Sequence, residues 1–314
     1  MDFLEYDKVD PLGVLRLNLL SLGYALTPEL VELIRQKDPR PLPGFAVYAV
    51  EDGVVAGQVG LFRLPMMSTE GPEDVGGAWA VCTHPTFSNR GIATRLLEEA
   101  HRRMRSAGLR FSTLATSRHR AAYSLYRRLG YEDACAFASA FAQRDALQAE
   151  TDLHAELAGS DRLHLADGLF RQVAAGRLGF ARRHEPFFPT MVAVGSVNVG
   201  EVWLLIDKGE VTGYALAGVL DGVLGVTDLL VLENVDVAGA VAALTRELKA
   251  PHVCVRVRRS SEIASLREAG YQIAQPDWSV FMVKPLTAEA TMHDARRLFG
   301  LDTEDFLISW MDTT

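Results

Sequence analysis

Apolar and polar positions along the chain switch between a period near 2 and a period near 3.6, and the switches mark the elements. Phe3 to Tyr6 reads as a first strand. Apolar residues then recur at helical spacing from Pro11 to Leu22, with Asp10 as N-cap and Gly23 as the stop. Thr27-Pro28-Glu29 opens a second helix that runs to about Gln36. Pro39, Pro41 and Pro43 predict a loop. Phe45 to Val50 and Val54 to Leu64 alternate as strands around the Glu51-Asp52-Gly53 turn. Pro65 to Gly77 is polar and glycine-rich and predicts a mobile loop. Trp79 to Thr83 is a short apolar strand. The longest helical period follows, carrying Leu96, Leu97, Ala100 and Met104, and Gly108 stops it. Phe111 to Ala115 is strand-like, a shorter helix closes on Gly130, and Asp133 to Gln143 reads as one or two closing strands.

The second half repeats this pattern. Val202 to Asp207, Val211 to Val219 and Leu224 to Leu232 are strand-like, with turns at Lys208-Gly209 and Asp221-Gly222. Val237 to Leu248 is helical, His252 to Val257 is a strand, and Ser261 to Ala269 is a helix. Gly130-Tyr131 and Gly270-Tyr271 end matching helices, which points to a repeated domain. The expected division is a first domain over 1–145, a polar Ala/Glu-rich linker over 146–160, a second domain over 161–285 and a tail over 286–314. In the tail, Thr287 predicts the cap of a helix reaching Phe299, and Thr303 the cap of a shorter segment with Phe306, Leu307, Trp310 and Met311. A terminal segment this apolar is expected to dock.

Length and composition fit two domains with sizeable cores: 314 residues, 48% hydrophobic and 23% charged. The net charge of −8 argues against nucleic acid as partner and leans toward cationic ligands such as amines. Cys82, Cys135 and Cys254 show no metal spacing, and buried small thiols in a reducing compartment are expected. MDFLEYDKVD has neither a basic start nor an apolar run, and Val211 to Leu232 is interrupted by Asp221 and Asp228. A cytoplasmic protein with no membrane association is therefore expected.

The turn Asn89-Arg90-Gly91-Ile92-Ala93, between the Trp79–Thr83 strand and the long helix, carries the chemistry. Glycine lets backbone approach a ligand, and the first helical turn offers unbonded N–H groups to phosphate oxygens. Arg90 adds a full charge there. The turn is neither GxxxxGK(S/T) nor GxGxxG.

The stretch from Val81 to Tyr131 resembles motifs A and B of the GCN5-related N-acetyltransferases (GNAT), roughly VxxxxPxx(R/Q)xxGx(G/A) followed by N…A…LYxxxGF. Gly91 and Ala93 fall on the glycine and small-residue positions, and Leu125, Tyr126, Gly130 and Tyr131 fall on LYxxxGF. Ser88 replaces the first Arg/Gln, and His119 stands where motif B has Asn. The close match covers about a sixth of the chain.

The resemblance implies an α/β (α+β) fold of two GNAT-like domains, each a mixed, mostly antiparallel twisted sheet flanked by helices. It implies acetyl-CoA as cosubstrate and no metal. Asn89, Arg90, Gly91, Ile92, Ala93 and Thr94 would cradle its pyrophosphate. Val81, Cys82 and Thr83 would pair with the pantetheine arm, as an added strand does. A main-chain N–H near Val81 or Cys82 would face the thioester carbonyl. His119 is a further candidate contact, and Arg102, Arg103, Arg105, Arg127 and Arg128 read as solvated helix faces or as partners of the 3′-phosphate. Tyr126 occupies the general-acid position, against the plainer reading of a core tyrosine with a wet hydroxyl. The strand Gly77-Ala78-Trp79-Ala80-Val81 has no carboxylate to serve as base. Glu73 and Asp74 lie in the expected loop; ordered water or the C-terminal carboxylate of Thr314 is the other route. His84 reads as a strand-end residue.

The expected function is direct transfer of an acetyl or short acyl group from acyl-CoA to a primary amine of a small molecule. A non-catalytic acyl-CoA sensor or partner-binding module is the alternative from another class, and a protein or peptide N-acetyltransferase is the third. The second domain, with ENVDVAGAVAAL in place of SNRGIATRLL and Leu266 in place of Tyr126, is expected to be a scaffold without its own cofactor. The tail is expected along the interdomain seam, with entry into the first domain's cleft as the competing expectation. Homodimerisation is left open.

Overall fold

The structure, a computed structural model, describes residues 1–276 and 279–313. The chain begins β1 (Asp2–Leu4), α1 (Pro11–Ser21), α2 (Pro28–Lys37), β2 (Pro41–Glu51), β3 (Val54–Ser68) and β4 (Gly71–Thr83). It continues α3 (Ile92–Ser106), β5 (Phe111–Ser117), α4 (Ala121–Arg128), β6 (Glu132–Ala136) and β7 (Ala138–Gln143). The second half runs β8 (His154–Leu157), α5 (Leu163–Ala174), β9 (Leu178–Gly179), α6 (Phe187–Ala193), β10 (Val202–Asp207), β11 (Glu210–Leu220) and β12 (Val223–Val231). It closes with α7 (Val237–Leu248), β13 (His252–Val257), α8 (Ser260–Glu268), β14 (Gln272–Ala274), β15 (Ser279–Pro285), α9 (Met292–Phe299) and β16 (Phe306–Leu307).

The helix starts are set by the residues the pattern picks out. The Asp10 carboxylate accepts from the N–H groups of Leu12 and Gly13 at 3.1 and 3.0 Å. Thr27 Oγ1 accepts from Leu30 N–H at 3.2 Å. Each satisfies a donor that helix geometry leaves open. α3 buries Ile92, Leu96, Leu97, Ala100, His101 and Met104 along one face. Gly57 lets that face come close: a Cβ there would lie 2.9 Å from Leu96 Cδ1 and 3.1 Å from Ile92 Cγ2.

Contacts divide the chain into two units. The first comprises 1–134, 281–299 and 312–314; the second comprises 135–280 and 300–311. The sheet of the first runs β1-β2-β3-β4-β5-β15-β6. β1 through β4 pair antiparallel, and β4 pairs parallel with β5. The sheet of the second runs β8-β10-β11-β12-β13-β7-β14, with one parallel pair, β12 and β13, at the same place in the order. The two sheets thus share one topology, and the repeat read from the Gly-Tyr pairs is structural.

The units differ from the continuous division expected from the sequence. β7 lies in the second sheet, hydrogen-bonded to β13 and β14, while β15 lies in the first, between β5 and β6. Each sheet therefore draws on the other half of the sequence. Ladder pairing, not proximity along the chain, decides which sheet a strand joins. The expected 146–160 linker also contributes β8, an edge strand paired with β10.

Three local expectations are corrected. Pro65 to Gly77 is not a loop: β3 runs to Ser68, β4 starts at Gly71, and pairs such as Leu64↔Val75 and Ser68↔Gly71 continue to the turn. Leu64, Met66 and Val75 are buried, so the apolar alternation outweighs the glycines. β2 begins at Pro41 rather than after the proline run, with a register shift between Pro41 and Ala46 that absorbs Gly44 and Phe45 at positive φ. The tail helix starts at Met292, not after Thr287. Thr291 Oγ1 accepts from Asp294 N–H at 3.1 Å, and the Asp294 carboxylate accepts from Thr291 N–H at 2.9 Å, a reciprocal cap.

Candidate active site

The expected cradle is a turn at one end of β4. Pro85–Phe87 forms a short 3-10 turn, Asn89 and Gly91 sit at φ 61° and 72°, and α3 starts at Ile92. Gly91 is the N-cap residue, and nothing lies within 4 Å of where its Cβ would project. The first-turn N–H groups of α3 carry no side-chain cap among the described residues. Ile92 is buried, Ala93 and Thr94 are half-buried, and Asn89 and Arg90 are exposed. This arrangement fits a pyrophosphate: unbonded donors, a partial positive charge and no Cβ in the way.

Arg90 is not simply free for a ligand. Its Nη1 lies 3.2 Å from Glu51 Oε1, and its guanidinium lies over the Phe87 ring, 5.1 Å from the centroid. His84 directly follows β4 and caps the 3-10 turn: Nδ1 accepts from Thr86 N–H at 3.3 Å.

β4 and β5 part company beyond the cradle's strand. They pair at Gly76↔Ser112 and Gly77↔Thr113. Thr113 Oγ1 donates to the Gly76 carbonyl at 3.2 Å and closes the base of the opening. From Ala78 to Thr83, β4 has no ladder partner on β5 among the described residues. Val81, Cys82 and Thr83 thus line the open side of β4, where a pantetheine arm can pair as a strand.

β4 also bulges there. Its register with β3 passes from Trp79↔Gly60 to Cys82↔Gln58, so Ala80 and Val81 together face Val59. Ala80 sits at φ 49°, a left-handed conformation that is strained for a residue with a Cβ. Gln58 Nε2 donates to the Ala80 carbonyl at 3.2 Å.

Tyr126, on α4, is 6% exposed, with its ring edge-on to Tyr131 at 5.9 Å between centroids. Its hydroxyl has no hydrogen-bond partner among the described residues. Burial pushes the phenol up to about 12, and the neighbouring Cys82 thiol adds to the shift against Arg120. Burial likewise pushes the Cys82 thiol up to about 12. Tyr24, from the loop between α1 and α2, is 37% exposed, and its phenol is raised by partial desolvation and by the same thiol. The structure therefore gathers Tyr24, Cys82 and Tyr126 around the end of β4, all protonated near neutral pH. His119 is exposed in the turn before α4, with its N–H donated to Ser117 Oγ at 3.2 Å.

Among the described residues no carboxylate joins this group. Glu73 and Asp74 belong to β4 and are engaged, Glu73 by Arg110 at 2.7 Å and Asp74 by Arg63 at 3.3 Å. Six residues of strand separate Asp74 from Ala80, roughly 20 Å. Thr314 lies outside the described residues. Among the described residues no cluster of His, Cys, Asp or Glu is placed to hold a metal, and no helix is long and apolar enough to cross a membrane.

Residues 15–134 match the family model described as Acetyltransferase (GNAT) domain. That stretch makes up most of the first unit, which is thus similar to a GNAT domain. The whole chain is similar in fold to solved structures of this kind. A GCN5-related N-acetyltransferase from Kribbella flavida is 18% identical with a TM-score of 0.63, over 90% of this chain and 71% of that one. One from Anabaena variabilis is 15% identical at 0.65, over 91% and 73%. Eis1 from Mycobacterium abscessus is 14% identical at 0.58, over 92% and 75%. No curated protein matches the sequence.

Beside the candidate site lie residues the sequence did not single out: Asn18 and Gln58, behind the β4 bulge, and Tyr24. One signal existed, since Asn18 falls on the buried face of α1 beside Val14 and Leu17, where an apolar residue is the rule.

The second unit has the same frame with different contents. β12 and β13 pair only from Val223↔His252 to Val226↔Val255. Beyond that, the space between Thr227–Leu230 and Arg256–Arg259 is lined by Phe306–Trp310 of the tail. Arg258 donates to the Phe306 carbonyl, and the Arg256 guanidinium lies 4.2 Å from the Trp310 ring centroid. At the start of α7 the Asp236 carboxylate accepts from Gly239 N–H at 2.8 Å and from Ser265 Oγ at 2.6 Å.

Proposed function

We propose that the first unit transfers an acetyl or short acyl group from acyl-CoA to a primary amine of a small molecule, by direct transfer. One observation carries this reading: β4 leaves β5 at Gly77 and bulges at Ala80–Val81, between the open Gly91 cradle and the Tyr126 phenol. Gly91, Ile92, Ala93 and Thr94 would hold the pyrophosphate through main-chain N–H groups. Val81 to Thr83 would align the pantetheine arm. The Val81 or Cys82 N–H would stabilise the oxyanion that forms when the amine nitrogen attacks the thioester carbon. Tyr126 would give its proton to the sulfur as the C–S bond breaks, so a thiol and not a thiolate departs. The amine proton leaves through ordered water.

The second unit, with Asp236 and Glu233 at the matching helix start and tail residues in the matching opening, serves as scaffold. The missing strand carboxylate supports a second reading, an acyl-CoA sensor without turnover. Calorimetric titration with acetyl-CoA, followed by thiol release against a panel of amines, tests both. One site per chain with amine-dependent release supports the transferase, and one site without release supports the sensor. No binding overturns both readings.

A further inference from the structure

The bulge in β4 is held by a closed pair of buried amides. Asn18 and Gln58 are 0% and 1% exposed. Asn18 Nδ2 donates to Gln58 Oε1, and Gln58 Nε2 donates to Asn18 Oδ1, both at 2.9 Å. The remaining hydrogen on each nitrogen goes to main chain: Asn18 to the Val14 carbonyl at 2.9 Å, Gln58 to the Ala80 carbonyl at 3.2 Å. All four amide hydrogens are used, so neither side chain can flip without leaving buried donors unpaired. The pair thus ties α1 rigidly to the strained residue of β4.

The consequence lies one atom further on. In a trans peptide the C=O and the following N–H point in opposite directions. The Ala80 carbonyl is turned to the Gln58 amide, so the Val81 N–H points away from that amide, in a stretch of β4 where the β5 ladder has already stopped. We propose that the Asn18–Gln58 pair is a positioning device, which fixes the Ala80–Val81 peptide so that Val81 N–H meets the thioester carbonyl. This rests on the acyltransferase or acyl-CoA reading of the site and specifies which main-chain donor acts and what sets it. Gln58 and Asn18 touch no reacting atom.

The test compares acetyl-CoA labelled with 13C at the carbonyl, and CoA itself, on the full chain. Bound to the wild type, the labelled carbonyl stretch is expected to move to lower frequency, and acetyl-CoA to bind more tightly than CoA. In Gln58→Met the side chain keeps its length but cannot donate to Ala80. The frequency shift is expected to vanish, and the preference for acetyl-CoA to fall by up to about tenfold, the worth of one hydrogen bond. Affinity for CoA is expected to stay within about twofold. Asn18→Ala, which keeps the Gln58 donor but frees it, is the second variant and should lose part of the shift; it decides the matter if Gln58→Met does not fold. An unaltered shift in a folded variant that binds CoA normally overturns the proposal while leaving the site reading intact. A wild type that binds neither probe overturns the site reading, and this proposal with it.

Discussion

Arg90 Nη1 lies 3.2 Å from Glu51 Oε1, so the one full charge of the Gly91 turn is shared with the tip of the β2–β3 hairpin. Both groups are partly exposed, and such a pair contributes about 0–1 kcal/mol to stability. Its effect should fall on binding. Arg90→Ala is expected to weaken acetyl-CoA binding several-fold and Glu51→Gln to strengthen it modestly, with thermal stability unchanged in both. The Arg90 effect should shrink in high salt. Calorimetry at two ionic strengths checks this, and equal affinities in all three proteins would remove Arg90 from the cradle.

Gly91 separates backbone strain from ligand exclusion. Its φ of 72° makes any side chain costly, by roughly 1–2 kcal/mol, although no protein atom stands in the way. Gly91→Ala is therefore expected to lower the melting temperature by several degrees. Gly91→Asp should do the same and also abolish acetyl-CoA binding, because its carboxylate would sit where phosphate oxygens belong. If both variants bind equally, the turn is not the anion site.

In the proposed transfer Tyr126 is the acid. With its phenol pushed up to about 12, it stays protonated through the working range, and loss of the proton can matter only as pH approaches that value. Turnover should show no alkaline fall between about pH 7 and 10 from this group. Tyr126→Phe is expected to lower kcat roughly 100-fold with acetyl-CoA affinity nearly intact. Unchanged kcat would return Tyr126 to the core-packing role.

His101 should make the first unit acid-sensitive. The imidazole is buried, with Nε2 2.9 Å from the Tyr131 hydroxyl, which also lies 2.7 Å from Ser112 Oγ. Burial, with Lys284 and Arg105 nearby, pushes His101 down to about 3 from 6.5. A folded state that keeps its histidine neutral is disfavoured when the unfolded chain can take up the proton. Its stability is full above pH 6.5 and falls as pH drops from there toward 3. His101→Gln is expected to flatten that fall, as read by denaturant midpoints at pH 7 and pH 5. The same slope in wild type and variant would assign the sensitivity elsewhere.

Much of this molecule is local in origin, and those parts could be read directly. Asp10, Thr27 and Gly108 punctuate helices because caps and left-handed stops are set by a few adjacent residues. Asp52-Gly53, at φ 51° and 77°, closes its hairpin for the same reason. The Gly91 turn and the Leu125-Tyr126…Gly130-Tyr131 run are also contiguous in sequence, so the cradle and the candidate acid were legible. Even the repeat left a trace: Tyr131 N–H donates to the Tyr126 carbonyl and Tyr271 N–H to the Leu266 carbonyl, each at 3.0 Å.

Features that depend on pairing across long separations were decided by the tertiary structure alone. Glycines and prolines masked Pro65 to Gly77 until Leu64, Met66 and Val75 found a common buried face. β7 reads equally well as a closing strand of its own half, because a β pattern states an appetite for a ladder and not which ladder, and β15 was not singled out in the sequence at all. β15 matters to the site: Lys284 donates to the Leu129 carbonyl at the end of α4, and Leu286 N–H donates to the Arg110 carbonyl at 2.8 Å. The helix bearing Tyr126 is thus anchored by a strand more than 150 residues away in sequence. Asn18 and Gln58, 40 residues apart, meet for the same physical reason. A buried amide must find a partner, and only the packed chain says which one.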